Sequence, residues 1–170
     1  MSTYIQVQSA DFSIAEEYDR LRDGNLADGG IVFFTGLVRD RNLGDSVTGL
    51  YLEHYPGMTE QALESIVQQA RERWPINRVS VMHRVGQLDL GDQIVFVGTT
   101  SPHRQAAFEA CEFIMDYLKS QAPFWKKETY RVESATGQGQ ESGRWIEPRD
   151  IDTQAMHRWD NSNLDKEAEK

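Results

Sequence analysis

Apolar positions along the chain alternate between a period of about 2 and a period of about 3.6, dividing it into short strands and helices. Residues 4–8 read as a strand. Ser13 and Glu16 then form a capping box for "FSIAEEYDRL", a helix with Ile14, Tyr18 and Leu21 as its buried stripe. "IVFFTGLVRD", residues 31–40, predicts a buried strand, and Gly36 inside it marks a bulge or a close approach. "GLYLEHY" alternates as a half-buried strand. A helix follows with Ala62, Leu63, Ile66, Val67, Ala70 and Trp74 on one face, ended by Pro75. "RVSVMHRVGQL" alternates through Val79, Val81, His83 and Val85, and "DLGD" turns it back into "QIVFVGTTS", which predicts a hairpin.

Ser101 and Pro102 read as the N-cap and first residue of a third helix. It runs to about Ser120 and buries Ala107, Cys111, Ile114 and Leu118. After Pro123, "TYRVE" and "RWIE" predict two strands around the polar loop "SATGQGQESG", residues 134–143, and "DIDTQAMHRW" a short last helix. The order of elements predicts an α+β layout with mainly antiparallel pairing. The expected division is one domain over residues 1–159 and an acidic, disordered tail over 160–170.

Charge changes the picture most. The 170 residues carry a net charge of −9, and the tail accounts for only −2 of it (four acids, two lysines). That balance argues against a nucleic-acid polyanion as partner. Neither a signal peptide nor an apolar stretch near the roughly 20 residues of a membrane span is recognisable. One cysteine, Cys111, fits a reducing compartment, so a cytoplasmic location is expected. Its place on an apolar helix stripe reads as core packing rather than as a nucleophile. The histidines, His54, His83, His103 and His157, lack zinc-motif spacing, and no metal is expected.

Against this acidic background the cations cluster. His103 and Arg104 fall in the first turn of the third helix, where free N–H groups favour an anion and a cation is out of place unless it meets one. Arg39 and Arg41 follow the strand that contains Gly36. Lys119 lies in the last turn of the third helix, and Lys126 and Lys127 come after "PFW". Each group also fits a solvated surface, and the macrodipole alone accounts for Lys119. Beside Phe124 and Trp125, however, desolvation and like charge would lower a lysine's pKa and make an amine available as base or nucleophile. Arg104 and Lys119 are 15 helical residues apart, roughly 22 Å. If both serve one small-molecule site, two chains must supply them. A homodimer with composite sites follows.

Together "FFTGLVRD", "NLGDSV", "LEHYPGMTE", "RWP", "VSVMHRVGQL", "GDQIVFVGTTSPHR", "FEACEFIMDYLK" and "APFWKKE" resemble the large, catalytic subunit of molybdopterin synthase, the MoaE family, over about residues 4–159. The resemblance implies an α/β hammerhead-type fold with an additional small antiparallel β sub-domain. It implies a sulfurtransferase that needs no metal or organic cofactor. The implied reaction takes sulfur from the C-terminal thiocarboxylate of a small ubiquitin-like subunit (MoaD type) and builds the dithiolene of molybdopterin on cyclic pyranopterin monophosphate, precursor Z. The implied assembly is a heterotetramer around a large-subunit homodimer. By the same resemblance the catalytic residues are Lys119 and Lys126. Leu37, Val38, Arg39, His103, Arg104, Lys127 and Glu128 complete the substrate site with them, and Arg149 is a further pocket arginine. Arg39, His103 and Arg104 are expected to hold the cyclic phosphate, Lys119 to meet the tail of the small subunit, and Lys126 to do acid–base work. A non-catalytic scaffold for ubiquitin-like partners is the alternative, as is another small-anion enzyme on the same fold.

Overall fold

The structure is a computed structural model of the chain; it describes residues 1–42, 45–133, 139–147 and 150–161. In chain order the elements are β1 (Ser2–Gln8), α1 (Ile14–Arg22), β2 (Gly30–Leu37), β3 (Arg41–Asn42), β4 (Asp45–His54), α2 (Met58–Arg73), β5 (Arg78–Arg84), β6 (Gly86–Asp89), β7 (Gln93–Ser101), α3 (Arg104–Gln121), β8 (Phe124–Glu133), β9 (Gly139–Ile146) and α4 (Asp150–Asn161). They form two sheets. The first has the order β1–β5–β7–β2; the second has the order β3–β4–β8–β9, with β6 also paired to β4. Among the described residues only β1 and β5 pair in parallel; the other pairings are antiparallel. This is the expected α+β class with a second, antiparallel β unit.

The first sheet is covered on both faces, as the alternation of β5 and β7 requires. Val79, Val81, Val95 and Val97 face α2 and α3 in the main core, where Trp74 and Phe113 also meet Trp159 of α4 edge-to-face. Met82 and Phe96 face the other way, onto Leu21 of α1 and Phe12. The second sheet has a small core of its own, Val38, Leu50, Leu52 and Leu88.

Several expectations need correction. β2 is not a buried strand but the edge of the first sheet; Phe33, Phe34 and Leu37 are 43%, 44% and 54% exposed. An unbroken apolar run reads as buried because pattern alone does not show that a neighbouring strand is missing. Gly36 does sit at an irregularity, with a register shift between Gly36 and Leu37. On α1, Tyr18 is exposed and Glu17 is buried instead; its carboxylate accepts from the Ser80 hydroxyl and from Arg20 Nε, which satisfies a charge the pattern would place outside. Ser101 does not cap α3. It ends β7 opposite Gly30, and its hydroxyl donates to the Pro75 carbonyl while accepting from the His103 N–H. His103 is the N-cap. The expected hairpin is β5 with β7, and the residues between them peel off as β6 to join the second sheet. Residues 139–143 of the expected loop belong to β9; residues 134–138 lie outside the described residues, as do Arg149 and the tail from 162 onward.

Candidate active site

The antiparallel register of β2 and β7 sets the geometry. Gly30 stands opposite Ser101 and Leu37 opposite Gln93, so the pair is eight residues long, about 26 Å at roughly 3.3 Å each. Arg39 lies just beyond one end of this pair, and His103 and Arg104 just beyond the other. α3 then runs back along the sheet, which returns Lys119, in its last turn, to the Arg39 end. The expected cations therefore fall into two groups that one chain does not bring together.

The first group is open. His103 caps α3 with its backbone only and makes no side-chain capping bond, no acid occupies the first turn, and His103 and Arg104 are both exposed. Free N–H groups, an arginine fork and an imidazole thus share one helix start, an arrangement suited to a phosphate. The Gly29–Gly30 backbone packs against Pro102 and Arg104. The adjoining cleft, about 330 Å³, is lined by Asp28 with Asn25, Arg22 and Tyr18. Burial alone would raise the Asp28 carboxyl, but hydrogen bonds from Thr100, Asn25 and Asn77 outweigh it and hold it below its ordinary range. A carboxylate there repels phosphate, so the helix start suits an anion better than that cleft does.

The second group is walled. Val38 is buried with Leu50 and Leu52, and Leu52 is the strand partner of Lys126. α3 ends at Gln121, the Ala122 N–H closes on the Leu118 carbonyl, and β8 begins at Phe124. Lys119 and Lys126 thus flank one tight turn, the first exposed and the second half-buried. The Pro123 carbonyl in that turn accepts from Thr59 Oγ1 at 3.3 Å.

Strand alternation divides the lysine pair. Phe124, Lys126 and Glu128 leave one face of β8, opposite His54, Leu52 and Leu50 of β4. Lys127 leaves the other face, where its ammonium lies 5.8 Å from the Trp145 ring centre and Trp125 is 48% exposed. Its stem crosses Gly143, where a Cβ would stand 2.6 Å from Lys127 Cε; no larger residue fits without displacing the lysine. Glu128 is buried on the Lys126 side, with Arg144 Nη2 of β9 at 4.0 Å. The structure therefore sets Lys126 and Glu128 together and Lys127 apart. Leu37 is exposed beside the buried Val38.

Cys111 stays structural: its thiol points at the Val97 carbonyl at 3.4 Å, and burial pushes it up to about 12. Among the described residues no group of three His, Cys, Asp or Glu side chains could hold a metal ion. No helix among them is long and apolar enough to cross a membrane.

Sequence reasoning passed over His83. Its ring lies flat against Phe124, with centroids 3.7 Å apart and planes 15° apart, close to Lys126. The signal was present: a histidine stands where the alternation Val79, Val81 calls for a third apolar residue.

Two sheets, an open helix start bearing His103 and Arg104, and a half-buried lysine at the opposite end define an α+β protein with two separate cationic groups. Residues 7–121 match the family model described as "MoaE protein". The chain is 56% identical over 160 residues to the molybdopterin synthase catalytic subunit of Vibrio cholerae, covering 94% of this chain and 100% of that one. Among solved structures, a molybdopterin biosynthesis MoaE protein from Burkholderia ambifaria superposes with a TM-score of 0.75 at 44% identity, covering 93% of this chain and 98% of that one. Molybdopterin synthase from Staphylococcus aureus gives 0.73 at 28% identity, covering 83% and 95%. The chain belongs to the MoaE family.

Proposed function

We propose that this chain is the catalytic subunit of a molybdopterin synthase. It transfers sulfur from the C-terminal thiocarboxylate of a small ubiquitin-like subunit to cyclic pyranopterin monophosphate, forming the dithiolene. Residues 1–159 act as the catalytic domain, in the cytoplasm, within a homodimer that binds one small subunit at each end. Burial of Trp159 among Trp74 and Phe113 supports a domain reaching that far. The observation that carries the reading is the separation of the two cationic groups by the length of the β2–β7 pair. A composite site reunites them: His103 and Arg104 of one subunit hold the cyclic phosphate, and the Arg39, Lys119 and Lys126 end of the other receives the thiocarboxylate tail.

At that end Lys119, exposed at the close of α3, meets the arriving tail. Lys126, half-buried and fixed in a strand, moves the proton. Once the thiocarboxylate sulfur has bonded to a pterin carbon, water attacks the acyl carbon and the acyl C–S bond breaks, leaving the sulfur on the pterin and a carboxylate on the small subunit. Cations placed there stabilise the oxyanion of that step. Val38 and Leu37 form the adjoining apolar wall, and Glu128 balances charge beside Lys126. Lys127, on the opposite face of β8, supports the strand from outside. Arg149 joins the pocket in this reading.

Single-turnover conversion of cyclic pyranopterin monophosphate with a thiocarboxylated small subunit tests this. Wild type should form product, and Lys119→Ala and Lys126→Ala should each lose about 10²-fold or more in rate, the scale of a lost acid–base or covalent group. A wild-type complex that binds the thiocarboxylated partner yet makes no product would sink the enzymatic reading and leave a scaffold for ubiquitin-like proteins.

A further inference from the structure

His83 stands on the face of β5 that α2 and α3 cover, and only 3% of it is exposed. Its Nδ1 lies 2.8 Å from the Arg84 carbonyl oxygen. A carbonyl only accepts, so Nδ1 carries the proton, and the neutral ring keeps its lone pair at Nε2. Burial is the main force against a second proton; the Arg84 carbonyl works the other way, Lys126 and His54 add to the effect of burial, and the pKa falls to about 3. The strand partners of His83 on either side, Val7 of β1 and Val95 of β7, are apolar. The titratable groups that bear on it are therefore Lys126 from β8 and His54 from β4.

The flat contact with Phe124 gives this ring a mechanical consequence. Phe124 opens β8, and Lys126 follows on the same face two residues later. At Phe124 the described anchors besides this stack are the Thr59 hydroxyl on the Pro123 carbonyl, the Phe124 N–H on the Ala122 carbonyl and the ladder to β4, and the ladder to β9 joins only from Lys126 onward. We propose that His83 is a positioning residue for Lys126: its neutral ring, tied to the Arg84 carbonyl, is the wall on which Phe124 stacks, and through Phe124 it fixes where β8 delivers the Lys126 amine. The inference rests on the assignment of Lys126 to the reacting end.

His83→Ala removes the wall, and His83→Phe keeps a flat ring while removing the polar atoms. The first readout needs no turnover: competitive acylation of surface amines, resolved by peptide mass, in the complete chain. Lys127 serves as the internal control because it leaves the opposite face of the same strand. In His83→Ala the Lys126-to-Lys127 labelling ratio should change by about threefold or more, and the single-turnover rate at saturating substrate should fall roughly tenfold with half-saturation unchanged, because a small displacement of a reacting group costs rate rather than binding. His83→Phe should restore most of both.

An unchanged ratio in a folded His83→Ala chain overturns the proposal, and so does a parallel change at both lysines, which would mean a loosened strand. Failure of His83→Phe to recover either quantity also overturns it. Should His83→Ala not fold, imidazole ¹⁵N spectra of the unmodified protein decide: one neutral Nδ1–H tautomer that does not titrate between about pH 5 and 8 is expected, and a titrating ring removes the neutral wall. A shifted ratio in a protein whose wild type makes no product would leave His83 in place and sink only the sulfur-transfer reading.

Discussion

The two ends of the β2–β7 pair carry the same charge and are built in opposite ways. At the His103–Arg104 end the cations stand on an uncapped helix start, open to water. At the Lys126 end the amine rises from a strand backed by Leu52, Phe124 and His83, with Val38 beneath. An open cation on a helix start binds an anion by charge and by free N–H groups, and its exact direction matters little. A half-buried amine has its direction fixed by packing, which is what a group that must reach one reacting atom requires. In the proposed reading, binding and reaction thus have different architectures in one molecule, and the length of a strand pair keeps them apart.

The most direct way to break this comparison is to divide the two ends between chains. Arg104→Ala and Lys119→Ala proteins should each be nearly inactive alone. After subunit exchange, roughly a quarter of wild-type activity should return, since half of randomly mixed dimers hold one intact site of two. No recovery despite proven exchange would show that each site lies within one chain.

The sheet that spaces the two ends should fail next. Phe96 is fully buried and touches the rings of Phe12 and Phe33, so Phe96→Ala should cost about 3–5 kcal/mol in urea unfolding. Loss of activity at both ends together should accompany it.

The wall at the Lys126 end has a pH signature of intermediate size. His83 has a folded pKa of about 3, against its ordinary value of 6.5, so the unfolded state binds the extra proton between those values. Its contribution to stability is complete above about 6.5 and is lost as pH falls toward 3. Going from pH 7 to pH 5 should remove about 2 kcal/mol, and this loss should vanish in His83→Phe. Parallel unfolding curves at the two pH values for both proteins decide it.

The smallest effect belongs to the outer face of the second sheet. Trp145 is 52% exposed and meets Lys127 from a distance of 5.8 Å. Trp145→Ala should cost less than about 1 kcal/mol and leave the single-turnover rate unchanged. A large rate loss would place the reacting surface on the Lys127 face.

Much of this was legible in the chain itself. α2 and α3 follow their apolar stripes to within a residue or two, and Gly36 marks the irregularity in β2 that its place in an apolar run announced. The cations of the candidate site stood out because they broke local rules: Arg104 in a first turn that favours acids, and two lysines after a tryptophan. Less legible were the partners of each element. Nothing in "IVFFTGLVRD" shows that β2 has a neighbour on one side only. Ser101 looked like a cap because its competing acceptor, the Pro75 carbonyl, lies 26 residues away in sequence. Residues 139–143 looked like loop because their pairing with β8, and not their composition, makes them strand.

The sequence by itself thus determined the helices and most of the strands, where charge breaks the expected pattern, and the family. Those properties are local: periodicity, capping and motif order act over a few residues. Only the tertiary structure decided that Lys126 and Lys127 face opposite ways, that Arg39 and Arg104 stand a strand's length apart, and that His83 lies flat beneath Phe124. These depend on register and on contacts between distant strands, which are fixed by the packing of whole sheets and by no residue's own preference.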